Sequence, residues 1–404
     1  MNDRNPVQSE QVFGTARDRS ESLMKRAKSA AEIALQHAAD VDARGRFPAE
    51  AMAAIKSQSL MSILVPAELG GDAASLSDAA EVCFTLGRAC ASSGMIYAMH
   101  LVKVACIVNH GAGVAWHENV LRRLVAEQLL FASSTTEGVG GGNVRSSASA
   151  IIHDAGRITL DRDASVISYG AYADGLVTTA RRSPSVDATD QVLAVFLKSD
   201  YELTLTGGWD ALGMRGTCST GFRLKARGVP EQILPVPYER IHSQTMVPAA
   251  HLLWSSVWAG IAAAAVAKAQ IFVRKAMRGA DGQMPPGAAR LGEAHGKLRM
   301  LRSGLAAALR RYEACHDDER ASSALDYQTA LTMAKVDASE LAVETVMACY
   351  RTCGLAGYRN DGDVSIGRHL RDVLSSPIMI NNDRITGNMA SAMAMSEIPQ
   401  SIRN

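Results

Sequence analysis

Phe131-Ala-Ser-Ser134-Thr135-Thr136-Glu137-Gly138-Val-Gly140-Gly141-Gly142-Asn143 is the stretch on which the fold turns. It begins as a short apolar and hydroxyl-bearing run of β type and ends in three consecutive glycines. Because glycine carries no Cβ, such a loop lets the backbone approach a ligand closely, and successive N–H groups make an anion-binding concavity. The plainer alternative for a triple glycine is a flexible turn.

On the N-terminal side, from Gln8 to about Gln128, the pattern is helical. Apolar residues recur at three and four positions in Met24–Ala39 and again in Leu76–Cys106, and Pro66 to Gly71 interrupts them with a turn. On the C-terminal side, β-type runs follow at Leu130–Ser134, Ala148–His153, Arg157–Leu160, Gly175–Ala180, Gln191–Leu197 and Gly221–Leu224, at the spacing of an antiparallel sandwich or barrel. After Pro237 the helical period returns near Leu252–Met277, Arg290–Cys315 and Tyr327–Cys349, with Pro285-Pro286 breaking it once. The small side chains of Ala262 to Ala265 permit close helix approach. The order predicts an α+β multidomain chain: an N-terminal helical domain over 1–129, a β-sandwich or barrel domain over 130–236, and a C-terminal four-helix bundle over 237–404.

With 404 residues, the chain is long enough for two or three cores. Its 42 Lys+Arg are interleaved with 41 Asp+Glu, so no basic stripe advertises a nucleic acid or an anionic membrane surface. The longest near-apolar stretch, Val257–Ala267, has 11 residues, so no transmembrane helix is expected. Met1 to Glu10 is polar and lacks an apolar core, which gives a cytoplasmic expectation. Seven scattered cysteines form no C-x-x-C pair; they read as buried thiols, with no metal site among them.

Three segments in order carry a family resemblance. Ser134-Thr135-Thr136-Glu137-Gly138 with Gly140 to Asn143 resembles the T-E-P-G-x-G-S-D segment of acyl-CoA dehydrogenases; Ala164-Ser-Val166-Ile167-Ser168-Tyr169-Gly170 resembles their K-x-W-I-[ST]-N-[GA] strand. Asp210-Ala-Leu-Gly213-Met214-Arg215-Gly216-Thr217-Cys-Ser219 resembles L-G-x-R-x-[ST]-x-[ST]. The flanks agree: Val65-Pro-Ala-Glu-Leu-Gly70-Gly71, a weakened Q-x-x-G-G-x-G-[FY] at Cys349 to Tyr358, and Arg368-His-Leu-Arg371-Asp372, which resembles L-x-R-D, are all similar to family motifs, spanning roughly residues 20 to 395.

The resemblance implies the acyl-CoA dehydrogenase fold and FAD as cofactor. It implies that Thr136 and Thr135, with Ser134, donate to the pyrimidine side of the flavin and that Ser168 stands beside N5. It implies that Gly141 and Gly142 approach the pyrophosphate and that Val166 takes the place of a covering Trp. Arg278, after a gap, and Gly354 correspond to positions that reach the cofactor of a neighbouring subunit in a homodimer or homotetramer. Arg215 is a candidate carboxylate or phosphate binder, and Trp254 and Trp258, four apart on one helical face, are candidate walls of an acyl pocket; bundle packing is the plainer reading for both indoles.

One departure is large. The family's dehydrogenation needs a carboxylate to take the α-proton of the thioester, commonly a Glu nine residues after the Arg of L-x-R-D. Counting from Arg371 lands on Ile380, and the alternative base position, on the helix around Trp254 and Trp258, also lacks Glu. Asp383, with Asn382 beside it, is the remaining candidate, and Asn382 is a candidate flavin contact too.

Three readings follow. The first is α,β-dehydrogenation of an acyl-CoA or acyl-carrier-protein thioester with hydride passing to the flavin, reoxidised by an electron-transfer flavoprotein or by O2. The second is a two-component monooxygenase fed with reduced flavin, for which relatives use histidines near His100 and near the C-terminus, where His369 lies. The third is a silent flavin- or acyl-binding homologue. His100 otherwise reads as a core histidine.

Overall fold

The computed structural model describes residues 16–137, 144–279, 283–396, 398 and 401. Five helices come first: α1 (Ala16–Arg44), α2 (Ala49–Ser57), α3 (Leu76–Ala89), α4 (Ala91–His110) and α5 (Ala115–Glu127). The periodic run expected over Leu76–Cys106 is two helices. Cys90, extended at φ −147° and ψ 114°, ends α3 and starts α4. A capping box between Ser75 and Asp78 satisfies the first turn of α3.

Among the described residues the middle of the chain holds seven strands: β1 (Phe131–Ser134), β2 (Ile152–Asp154), β3 (Arg157–Ile167), β4 (Gly175–Arg181), β5 (Gln191–Leu197), β6 (Tyr201–Leu205) and β7 (Thr220–Gly228). They form two sheets, ordered β1-β4-β5 and β2-β3-β7-β6. The expected all-antiparallel arrangement is corrected at one pair, since β1 runs parallel to β4. In β4 and β5 every residue but the last is buried, which is why they read as continuous apolar runs. By contrast, β3 alternates buried and exposed residues until a bulge between Ala164 and Ile167 breaks its register, leaving Val166 40% exposed.

The C-terminal part contains α6 (Tyr238–Ile241), a π-helical turn at His242–Met246, α7 (Val247–Gly279), α8 (Ala289–Cys315), α9 (Glu319–Ser322), α10 (Leu325–Tyr358), α11 (Gly367–Val373) and α12 (Asn382–Met395). The helices of this region pack together through α7, which lies on α8 and α10 on one side and on α3 and α4 of the first region on the other. The close crossing is made by glycines. A Cβ on Gly260 would meet the Phe84 carbonyl oxygen at 2.3 Å, and one on Gly87 the Val257 oxygen at 2.6 Å. Two helical stretches, Ala91–His110 and Tyr238–Gly279, are long and apolar enough to cross a membrane by length and composition, but 94% and 67% of their apolar windows are buried in the fold. Their apolarity is that of core helices.

Candidate functional site

Hydroxyl groups gather where the β sheets meet the helices. Ser168, just past β3, lies 2.7 Å from Ser219 Oγ; Ser219 lies 2.7 Å from Thr217 Oγ1, and Thr217 donates to the Met214 carbonyl at 2.9 Å. The Thr217 donation leaves its oxygen to accept, so a directed hydroxyl string runs from Met214 to Ser168. Tyr169, in left-handed backbone at φ 45°, anchors this corner by donating its N–H to the Thr217 carbonyl at 2.8 Å and its hydroxyl to the Phe131 carbonyl at 3.0 Å.

At the end of β1, the Ser134 Oγ is buried with no hydrogen-bond partner among the described residues, while its carbonyl accepts from Thr178 at 2.8 Å. Thr135 and Thr136 follow, half-buried. Glu137 then fixes the strand's exit: its carboxylate accepts from Ala148 N at 2.6 Å, Ser149 N at 3.1 Å and Ser147 Oγ at 3.1 Å, and pairs at 3.6 Å with Arg162, which is 1% exposed. Burial opposes its ionisation, yet the Ser149 hydrogen bond and the Arg162 charge together hold its carboxyl below the ordinary range. Gly141 and Gly142 lie outside the described residues.

A buried orphan hydroxyl and two half-buried threonines are neutral donors, and the string's Ser168 oxygen a neutral acceptor, of the kind an isoalloxazine needs around its pyrimidine edge and N5. The exposed Val166 between them offers an apolar contact. The set fits a flavin.

Several candidate residues stand elsewhere or are already engaged. His100 is fully buried; its Nδ1 accepts from the Phe131 N–H at 3.0 Å and its Nε2 donates to the Met61 carbonyl at 2.8 Å, so neither ring nitrogen is left for a reacting proton. Burial pushes its pKa down to about 4. His100 is a neutral clamp between the first helices and β1, a correction to the catalytic reading. Asp383 is exposed in the first turn of α12 and engages no reactive group.

Asn382 is buried, with its Oδ1 accepting from Lys335 at 2.7 Å and its Nδ2 donating to Ser339 Oγ at 2.9 Å and Glu340 at 2.6 Å. Its amide is consumed by the bundle, which corrects both roles expected of it.

Arg215 turns back on its own loop, donating to the Ala211 carbonyl at 3.3 Å and pairing with Asp210 at 3.6 Å. Trp258 is fully buried beneath the Lys335 ammonium, 5.5 Å from the ring centroid, and so is bundle packing, whereas Trp254 is half-buried; neither indole N–H has a hydrogen-bond partner among the described residues. Arg278 is exposed in the last turn of α7. Gly354, at φ 52° and ψ −134°, is an exposed kink in α10 with open space where a Cβ would stand.

The L-x-R-D signature is a three-way brace. Arg371 binds Asp42 of α1 at 2.8 and 2.5 Å, and Asp372 accepts the Met214 N–H at 2.7 Å, its pKa pushed up to about 6 by burial. His369, buried and with its pKa pushed down to about 3, sits beside this brace.

The residue that sequence reading missed is Lys335. Its ammonium, on a side chain with no exposed surface, donates to the carbonyls of Ser376 at 3.0 Å and Ile380 at 2.8 Å as well as to Asn382. Burial pushes its pKa down to about 8. It therefore ties down the segment in which the family carries its base, and Ile380, at that place, is held at φ 51°, a left-handed conformation unusual for a β-branched residue. Among the described residues no group of His, Cys, Asp and Glu could hold a metal ion.

Residues 18–128 match the acyl-CoA dehydrogenase N-terminal domain and residues 252–376 the acyl-CoA dehydrogenase C-terminal domain, together more than half the chain. The probable acyl-CoA dehydrogenase YngJ of Bacillus subtilis is 25% identical over 195 residues, covering 48% of this chain and 51% of YngJ; the chain spans about half the length of the dehydrogenases it matches. L-evernosamine nitrososynthase of a Micromonospora species is 28% identical over 361 residues, covering 85% of this chain and 82% of that enzyme. The structure of FMN-bound TdsC from Paenibacillus sp. A11-2 superposes with a TM-score of 0.82 at 18% identity, covering 94% of this chain and 98% of TdsC, a likeness of fold alone. With both terminal domains matched and the helical, β and helical regions in that order, the chain belongs to the acyl-CoA dehydrogenase family of flavin-dependent oxidoreductases.

Proposed function

We propose that the chain is a flavin-dependent oxygenase that takes reduced flavin and O2, in place of the family's α,β-dehydrogenation. The observation that carries this reading is the segment tied by Lys335. Where the dehydrogenation base would stand there is Ile380, whose carbonyl accepts from an ammonium, and the nearby carboxylates of Asp383 and Glu340 are exposed, Glu340 being bound to Asn382. A base must come within hydrogen-bond reach of the α-proton, and among the described residues no carboxylate of this segment is placed to do so. Oxygenation needs no such base. The relative named a nitrososynthase aligns over 85% of the chain, against 48% for YngJ, and this extent favours the same reading.

FAD is taken as the cofactor; when bound in reduced form it supplies two electrons, so that one atom of O2 passes to the substrate and the other leaves as water. The chain's own part is positional. Thr135, Thr136 and the orphan Ser134 hydroxyl hold the ring's polar edge, and the string from Met214 through Thr217 and Ser219 spends the Ser168 proton on Ser219, so that Ser168 Oγ is held as an acceptor. Val166, smaller than Trp, leaves one face open for substrate. Gly354 and Arg278, both exposed, are available for the subunit contact of a homo-oligomer.

The test is spectroscopic. Under anaerobic conditions, straight-chain acyl-CoAs from butyryl to palmitoyl leave the visible band of the FAD-loaded chain unchanged, and reduced FAD binds more tightly than oxidised FAD and is reoxidised by O2 at a rate distinct from that of free flavin. Bleaching by any of these thioesters refutes the oxygenase reading in favour of dehydrogenation, and failure to bind FAD in either redox state refutes both.

A further inference from the structure

From Ala91 to Ile107 every residue of α4 is buried, and among them is a lysine. Lys103 is 4% exposed. Among the described residues its ammonium has one hydrogen-bond acceptor, the thioether sulfur of Met246 at 3.6 Å, a weak acceptor that also receives the Tyr238 hydroxyl at 3.6 Å. An ammonium has three donors, and enclosing it without an anion costs several kcal/mol.

The neighbours add further donors and, among the described residues, no anion. Met246 closes the π-helical turn that His242 opens, and the His242 ring lies 5.5 Å from that of Tyr238, so Lys103, Tyr238, His242 and Met246 form one cluster between α4 and the start of α7. Burial first, and then the charges of Arg145 and Lys103, push His242 down to about 4. On the far side of the turn, Thr245 is engaged by His110 at 2.8 Å and Asn109 at 3.3 Å, and so is unable to serve the lysine. Single π-turns inside helices frequently mark functional sites, because they displace side chains from the regular ladder.

We propose that Lys103 and the adjoining His242 form the seat for an oxyanion, a phosphate or a carboxylate, carried by the substrate. The word substrate rests on the oxygenase reading; the binding of an oxyanion does not. An anionic group removes the penalty of enclosing the ammonium and fills its empty donors.

The experiment uses the full chain without turnover, in chloride buffer at constant ionic strength. Inorganic pyrophosphate and malonate are titrated separately by calorimetry and by thermal denaturation. One of them binds and raises Tm, pyrophosphate marking a phosphorylated substrate and malonate a carboxylic one. Lys103→Met weakens that binding at least about tenfold while keeping or raising the Tm of the unliganded protein. His242→Gln, which retains the lysine, weakens it by a smaller factor and carries the test should the first variant not fold. The proposal is overturned if neither oxyanion binds the wild-type chain, or if the folded variants bind it as well as wild type. Bleaching by an acyl-CoA would refute the oxygenase reading and leave these titrations to stand or fall alone.

Discussion

Lys103 and Lys335 are both lysines from which water is nearly excluded, 4% and 0% exposed, and they differ in what their ammonium groups touch. Lys335 places three donors on three oxygens, at Ser376, Ile380 and Asn382, and rests over the Trp258 ring. Lys103 has one sulfur. A buried cation whose donors are all consumed is part of the scaffold, and one whose donors are vacant is a place for a ligand; the identity of the residue does not distinguish them, and the acceptors around it do.

The sharpest break of that comparison is Lys335→Met. It strands three acceptors and frees the segment from Ser376 to α12, and its expected cost is about 3–5 kcal/mol in chemical denaturation, with loss of hydrogen-exchange protection in α12. Unchanged protection there would mean that the lysine is not the tie. Next comes acid. His100 is held near 4 in the folded chain against the ordinary 6.5, so the unfolded chain takes up the proton first; the stability this histidine contributes above pH 6.5 is lost as pH falls from there through 4, about 3 kcal/mol in all.

Denaturation midpoints at pH 7 and pH 5 measure that loss, and His100→Gln flattens the slope between them by its share; an unaltered slope would show that the clamp is not neutral. Lys103→Met is expected to move the other way from Lys335→Met, gaining about 1–2 kcal/mol, because it removes an ammonium that burial disfavours and for which the described residues offer one sulfur acceptor. Should both methionine variants lose stability alike, the two lysines are not different in kind. The smallest effect is Ile380→Gly, which relieves the left-handed strain at φ 51° and is offset in part by greater chain entropy, for a net gain of about 0.5 kcal/mol by thermal denaturation.

Much of the scaffold was readable residue by residue. The run Gln191–Leu197 is a strand with the expected bounds, because a continuous apolar segment buried on both faces needs no partner to be recognised. The edge strand β6 was not readable: only Tyr201 of its five residues is buried, so it carries no alternation to detect. The hydroxyl string was half legible, with Ser168 and Thr217 standing in recognisable segments, while the 2.7 Å contact that joins them through Ser219 depends on pairing β3 with β7 across 51 residues. His100 was legible as a histidine on an apolar helix and illegible as a clamp, since its two partners, Met61 and Phe131, come from other elements.

The sequence by itself determined the succession of helical, β and helical regions, the flavin-compatible hydroxyls at the strand ends, and the lack of Glu at both family base positions, because each is a matter of local periodicity or of which side chain stands at a counted place. Only the tertiary structure decided that β1 runs parallel to β4, that Asn382 serves the bundle, and that one buried lysine is satisfied while the other is not. The physical reason is that a polar group's role is set by its hydrogen-bond partners, and in this chain those partners lie tens to hundreds of residues away, where no local pattern registers them.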